Sequence, residues 1–286
     1  MKHAILGPGG IGGLLGAALG KAGYPVAMIV RPGAAAAFPS RIHLQSDLLG
    51  DIEAEVAVTE GLAEPVDVLW IAVKAGQLEA AVKQAPPGLV DVVVPLLNGV
   101  DHLAALRRVY GPERVVTGTI RVEAERVAPG RYRQKGPFIV AELAGRPDIV
   151  AELSQAGIQT RVVEDGERAL WAKLIMLAPF ALTSTASQLA LGEIVEQPEW
   201  RDRMLSSMRE VKAVAAAQGI ELEEPAGLLA AAAPDMRTSM QKDAAAGRPL
   251  ELDHISGPIV RGGREHEVPT PATEELVELI RARYPA

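Results

Sequence analysis

Cysteine is absent from this chain of 286 residues, which excludes disulfides, thiolate nucleophiles and sulfur-ligated zinc together. Asparagine occurs once, at Asn98, so no pocket here is built on several of them. No acidic residue precedes Asp47; the formal charges before it are Lys2, Lys21, Arg31 and Arg41, a basic opening to a chain of net charge −7. That overall sign excludes general attraction to nucleic acid. No stretch reaches the ~18 uninterrupted apolar residues expected of a spanning helix. The five histidines, His3, His43, His102, His254 and His266, show no metal-ligand spacing, and there is no G-x-S-x-G elbow. Metal and serine-hydrolase chemistry therefore lack support.

Lys2 and His3 ahead of the apolar stretch Ala4–Gly20 have the outline of a signal peptide. Seven glycines from Gly7 to Gly20 are poor for its helical core, however, and no small-x-small cleavage site follows. A cytoplasmic protein without membrane attachment is expected. With 48% hydrophobic and 23% charged residues the chain has ample material for packed cores, and its length suggests two domains at ~100–200 residues each.

The first half alternates short apolar runs with amphipathic ones. Strands are expected at His3–Gly7, Pro25–Val30, Val66–Val73, Val90–Leu97, Val115–Gly118, Phe138–Glu142 and Ile158–Val163, and helices at Ile11–Ala22, Gln77–Gln84 and His102–Tyr110. Near-continuous apolar strands separated by helices predict a parallel sheet covered on both faces. The segment Ile42–Val58 reads as an irregular insertion with short strands, and Ile120–Gln134 as an antiparallel edge hairpin. After about Val163 the pattern becomes wholly helical. Asp165 is a candidate N-cap for a helix through Trp171; others are expected at Trp200–Gln218, Pro225–Ala233, Met236–Ala246 and Leu252–Gly262. Thr270 before Pro271 predicts the N-cap of a last helix to Tyr284. The fold class is thus α/β, a Rossmann-type domain (1–165) followed by an all-helical domain (166–286).

Gly7-Pro8-Gly9-Gly10-Ile11-Gly12 matches G-x-G-x-x-G, directly after one expected strand and opening an expected helix. Such glycines permit a tight turn, close approach of the backbone to a pyrophosphate and close helix–sheet packing, while helix N-terminal amides hold the phosphate charge. At the end of the second strand NAD readers place Asp or Glu against the ribose 2′-hydroxyl. Here the strand ends Ile29-Val30-Arg31, and a guanidinium suits a 2′-phosphate, so NADP(H) is favoured. A solvated surface arginine is the plainer alternative.

Lys173 is the only charged residue in Leu170–Leu182, thirteen residues reading LWAKLIMLAPFAL. Burial would lower the pKa of its ammonium and make it a better proton donor to a carbonyl being reduced. Asn98 follows a buried run at a strand's carboxyl end, where ligands of open α/β sheets bind, although Asn98-Gly99 is also a good turn. Lys74 ends the preceding run similarly and reads equally as an ordinary strand-end lysine.

These residues resemble the ketopantoate reductase (2-dehydropantoate 2-reductase) family over essentially the whole chain. The likeness rests on GPGGIG at 7–12, Arg31, AVKAGQ around Lys74, LLNGV around Asn98, WAKL at Lys173, and TSMQKD…LELDHISG from Thr238 to Gly257. The resemblance implies NADPH-dependent reduction of a 2-oxoacid in a cleft between a Rossmann and a helical domain, as in pantothenate biosynthesis, by a homodimer. It makes Lys173 the proton donor and places Asn98 at the nicotinamide and substrate. Ser239, Met240, Gln241 and Lys242 match the loop holding the substrate carboxylate, and Glu251 and Lys74 match cofactor contacts. Three family asparagines are missing: Leu177, Ala181 or Phe180, and Leu191 stand in their places. A less polar 2-oxoacid is therefore an alternative substrate, and a non-catalytic NADP(H)-binding sensor an alternative function.

Overall fold

The computed structural model describes residues 1–223 and 233–285. The expected helix Pro225–Ala233 lies outside the described residues but for Ala233. The chain divides into two compact units, one formed by Met1–Leu97 with His102–Ala169, the other by Asn98–Asp101 with the residues from Leu170 onward.

The first unit contains two sheets. One comprises β1 (His3–Leu6), β2 (Val26–Ile29), β5 (Ala57–Thr59), β6 (Val66–Ile71) and β7 (Val90–Pro95), in the order β5-β2-β1-β6-β7 and parallel throughout. Ala4, Ile5, Leu6, Val68, Leu69, Trp70 and Ile71 are buried, as expected of strands covered on both faces. Pairing aligns Leu6 with Ile29 and Ile71, Ile29 with Thr59, and Ile71 with Pro95. The segments after these five strands therefore leave from one edge of the sheet, its carboxyl edge.

Between β1 and β2 runs α1 (Gly10–Lys21), which also packs on the second sheet. That sheet is made of β3 (Arg41–Ser46), β4 (Gly50–Glu55), β8 (Gly118–Ala128), β9 (Arg131–Ala144) and β10 (Gln159–Val163). The segment Ile42–Val58 is thus no irregular insertion. Ile42, Leu44, Ile52 and Ala54 are buried while Arg41, Gln45, Asp51, Glu53 and Glu55 are exposed, the two-residue period of a half-buried antiparallel hairpin. Nor is the hairpin at Ile120–Gln134 wholly an edge. Its first strand, β8, is, but β9 is central, pairing with β8 along its length and in parallel with β3 at Arg131–Gln134 and β10 at Val140–Ala144. Val115 makes only an isolated bridge to Val93, so the strand expected at Val115–Gly118 begins at its last residue. Gln77–Gln84 is a broken turn sequence, in which α2 (Leu78–Ala81) lies between two 3-10 turns. Beyond α3 (His102–Tyr110), the unit holds α4 (Pro147–Gln155), which the sequence reading passed over. Its signals are Pro147 in the first turn, Asp148 after it, and buried Ile149 and Leu153 four apart.

Among its described residues the second unit is helical: most of α5 (Gly166–Ser187), then α6 (Leu191–Glu196), α7 (Pro198–Ala217), α8 (Ser239–Ala245), α9 (Leu252–Glu265) and α10 (Pro271–Arg283). Asp165 accepts the Arg168 N–H at 2.9 Å and opens α5, which runs well past Trp171. Although no uninterrupted apolar run is long enough, α5 as a whole has the length and composition to cross a membrane. Of its most apolar stretch 78% is buried in protein, as in a core helix. Leu174, Ile175, Ala178 and Leu182 pack with Val211 and Val214 of α7, Ile255 and Ile259 of α9, and Leu276 and Ile280 of α10. Each such side chain contributes about 1.5–3 kcal/mol of burial. Thr270 does not cap α10 with its side chain; the carboxylate of Glu210 does, accepting the N–H groups of Ala272 and Thr273 at 2.7 and 2.8 Å.

Candidate active site

The glycine-rich turn lies at the carboxyl edge of the parallel sheet. Gly7 has φ +98°, a conformation that strains any other residue. A Cβ at Gly12 would stand 2.2 Å from Gly7 O, one at Gly10 2.2 Å from Ala124 O, and one at Gly13 2.1 Å from the Tyr132 ring. Protein packing therefore accounts for these glycines. It does not account for Gly9, whose Cβ would meet only Ala72 O at 3.9 Å. The space at Gly9 is open, and α1 begins there with no side-chain cap and no acidic residue in its first turn. Unspent N–H groups, a positive helix end and room beside the backbone fit an anionic group such as a pyrophosphate.

Two other candidates follow strands of the same edge. Arg31 is exposed two residues beyond β2, and Lys74 is half-buried three residues beyond β6. A carboxylate that sequence reasoning missed arrives there from β5. Glu60 accepts the Ala35 N–H at 3.0 Å, and hydrogen bonds from the backbone of Ala35, Gly33 and Ala34 hold its carboxyl below the ordinary carboxylate range. No feature near Arg31 in the chain announces it; only the β2–β5 pairing brings it there.

Within the helical unit, Lys173 of α5 donates from Nζ to Asn98 Oδ1 at 3.1 Å. The lysine is half-buried, where fuller burial was expected: its helix turns an apolar face to the core but leaves Ala172 exposed and Lys173, Met176 and Leu177 partly so. The loop bearing Asn98 is fastened to the same unit. Gly99, at φ +80°, leaves no room for a Cβ, which would lie 2.4 Å from His254 O. Val100 packs on the helical core, and Asp101 pairs with Arg261 of α9. A primary amine oriented by a carboxamide oxygen is a competent proton donor.

Thr238 caps α8 by accepting the Gln241 N–H at 3.2 Å, and its Oγ1 lies 2.9 Å from Ser184 Oγ of α5, a buried pair. Ser239 and Lys242 are exposed, whereas Met240 lies in the apolar core and buried Gln241 donates to Leu189 O at 3.0 Å. Glu251 is half-buried immediately before α9. The structure thus brings Lys173 and Asn98 together, anchors the segment around Ser239 to the far end of Lys173's own helix, and sets Met240 inward. Leu191 and Phe180 belong to an apolar cluster with Ile194, Met204 and Met208.

The profile described as "Ketopantoate reductase PanE/ApbA" matches residues 3–145, and that of the "Ketopantoate reductase PanE/ApbA C terminal" matches 165–284. The chain is 32% identical to a 2-dehydropantoate 2-reductase of Caulobacter vibrioides across 98% of both. Among solved structures, a PanE/ApbA family ketopantoate reductase from Ralstonia eutropha JMP134 superposes with TM-score 0.89 at 28% identity, covering 99% of this chain and 98% of that one. A D-mandelate dehydrogenase in complex with NADH superposes with TM-score 0.87 at 25% identity, covering 99% of each.

Proposed function

This chain belongs to the ketopantoate reductase PanE/ApbA family and is an oxidoreductase, and from that premise we propose that it reduces 2-dehydropantoate (ketopantoate) to pantoate with NADPH. The observation that carries the proposal is the hydrogen bond from Lys173 Nζ to Asn98 Oδ1, which fixes an ammonium on a helix that otherwise offers only apolar residues around it.

The glycine turn would hold the pyrophosphate, Arg31 the 2′-phosphate, and Lys74, Asn98 and Glu251 would add cofactor contacts. Reduced nicotinamide, when bound, supplies the hydride. Lys173 delivers a proton from Nζ to the substrate's keto oxygen, and its charge stabilises the alkoxide developing there. Asn98 keeps that amine oriented by accepting from it. Ser239 and Lys242 orient the substrate carboxylate, while Met240 and Gln241, both buried, shape the segment that presents them.

Consumption of NADPH with ketopantoate, followed by the absorbance of the reduced nicotinamide, tests this reading. Saturable turnover abolished by Lys173→Ala supports it, and NADPH binding with no turnover of any 2-oxoacid sinks it in favour of a sensor. Leu177, Ala181 or Phe180, and Leu191, apolar where the resemblance implies asparagines, favour a second reading: a 2-oxoacid with a less polar side chain. Similarity to a D-mandelate dehydrogenase, named for a 2-hydroxyacid with an apolar side chain, agrees with it. A higher kcat/KM for such an acid than for ketopantoate would decide for that reading.

A further inference from the structure

The loop carrying Arg31 has little with which to hold itself. Residues 32–37 read Pro-Gly-Ala-Ala-Ala-Ala, without one polar side chain. Its internal bonds are Ala34 N–H to Arg31 O at 3.0 Å, Ala37 N–H to Ala34 O at 3.3 Å and Phe38 N–H to Ala35 O at 3.2 Å, and Gly33 has φ +78°. The anchor comes from outside. The Glu60 carboxylate accepts the Ala35 N–H at 3.0 Å, and the neighbouring backbone of Gly33 and Ala34 adds to the pull that holds its carboxyl below the ordinary carboxylate range. Glu60 is itself held, because Gln84 Nε2 donates to Val30 O and to Glu60 O, both at 2.6 Å. The ends of β2 and β5 are thereby stapled one residue before Arg31.

We propose that Glu60 is the positioning residue for recognition of the cofactor's 2′-phosphate, an inference that rests on the reading of Arg31 given above. A carboxylate at this edge of a dinucleotide-binding sheet ordinarily accepts from the ribose 2′-hydroxyl and repels a 2′-phosphate. Here the carboxylate accepts the Ala35 N–H from within the loop, so part of its acceptor capacity and charge is spent there. It acts as a peg instead. A guanidinium on an unpegged alanine loop must be ordered when the phosphate arrives, and that ordering weakens binding. With the loop pegged, Arg31 leaves a fixed backbone, and the 2′-phosphate meets a donor already in place.

Because NADPH and NADH differ only in that phosphate, the ratio of their dissociation constants isolates the effect from any general loosening. Both cofactors are titrated by fluorescence onto the full-length protein and onto Arg31→Ala, Glu60→Ala and Glu60→Gln. Arg31→Ala raises Kd(NADPH)/Kd(NADH) about 30-fold, as loss of hydrogen bonds to a charged group requires. Glu60→Ala raises the ratio about fivefold through lost preorganisation, and Glu60→Gln, whose carboxamide oxygen still accepts, restores most of it. If both dissociation constants of Glu60→Ala rise together, the residue is merely structural and the proposal fails. It fails equally if the ratio is unmoved, or falls because the carboxylate competes with the phosphate. If Arg31→Ala leaves the ratio at its wild-type value, the reading of Arg31 is wrong and the proposal falls with it.

Discussion

The two units hold their polar machinery by opposite means. In the sheet unit the donors at the glycine turn are backbone N–H groups, and what matters is missing atoms: Gly9 leaves space, and Gly7 permits a left-handed turn. In the helical unit the machinery is side chain on side chain, Lys173 on Asn98 and Ser184 on Thr238. A backbone site is broken by adding atoms, and a side-chain site by removing them. The first kind writes itself into spacing; the second kind is spread over distant positions and leaves no local pattern.

The sharpest break of that contrast removes atoms from the helical unit. Lys173→Ala is expected to lower kcat about 10³-fold, the scale of a lost general acid. Its NADPH dissociation constant, measured by fluorescence, should stay close to the wild-type value, because the phosphates are assigned to the other unit. A large fall in NADPH affinity with modest loss of kcat would make Lys173 a cofactor ligand and dissolve the division of labour.

Adding one methyl group to the sheet unit sharpens the contrast at two neighbouring positions. Gly13→Ala drives a Cβ to 2.1 Å from the Tyr132 ring, and is expected to cost about 1–3 kcal/mol by overpacking. Gly9→Ala meets only Ala72 O at 3.9 Å, so thermal unfolding should barely move while NADPH binding weakens about tenfold or more. Should Gly9→Ala unfold the protein instead, the open space at Gly9 has a structural cause and no longer speaks for a ligand.

These positions also show what the sequence made legible. The βαβ opening, the all-parallel sheet and the late helices were readable because buried strands form apolar runs and helices carry caps and period. The glycine turn was readable because its spacing is local. Lys173 stood out as one charge in thirteen residues and Asn98 as a polar residue at a strand's carboxyl end, yet nothing in the chain announced that these two, 75 positions apart, meet. The β3–β4 hairpin escaped because each strand buries only two side chains, too short an alternation to separate from loop. Glu60 escaped because nothing near it in the chain points to Arg31. Pairing of β2 with β5 creates that neighbourhood, and pairing partners are not written in either strand.

A polar side chain in the sheet core tests the contrast from the other direction, through a slope against pH. His3 is fully buried; its Nδ1 accepts from Trp70 Nε1 at 3.1 Å, and its Nε2 lies 3.0 Å from Glu152 Oε2. Burial holds its pKa below the ordinary 6.5 despite the attraction of Glu152. A depressed histidine pKa means that the unfolded chain binds the proton first. Stability is therefore full above about pH 6.5 and declines as pH falls from there toward the lowered native value. Protonated Nδ1 would also face the Trp70 donor with a donor of its own. Denaturant unfolding across pH 5–8 should show this decline in the wild type and a flatter profile in His3→Gln; equal slopes would remove His3 from the account.

The smallest effect concerns a place where the helical unit borrows a side chain to serve its backbone. Sequence places the N-cap of α10 at Thr270, but the N–H groups of Ala272 and Thr273 go to Glu210 of α7, whose Oε2 also accepts from Thr273 Oγ1 at 2.6 Å. Glu210 thus caps one helix from another and ties α7 to α10. Glu210→Ala removes the acceptor of two N–H groups, while the buried Thr273 hydroxyl keeps Ser207 Oγ at 2.9 Å, and should cost about 1–2 kcal/mol, the range of a lost N-cap. Thr270→Val keeps the methyl that packs beside Gly263 and removes only a hydroxyl that caps nothing, so its cost should stay within about 0.5 kcal/mol. Denaturant midpoints of the two variants decide the matter. If Thr270→Val is the more damaging, the cap is local after all, and α10 begins as its own sequence says rather than as its neighbour dictates.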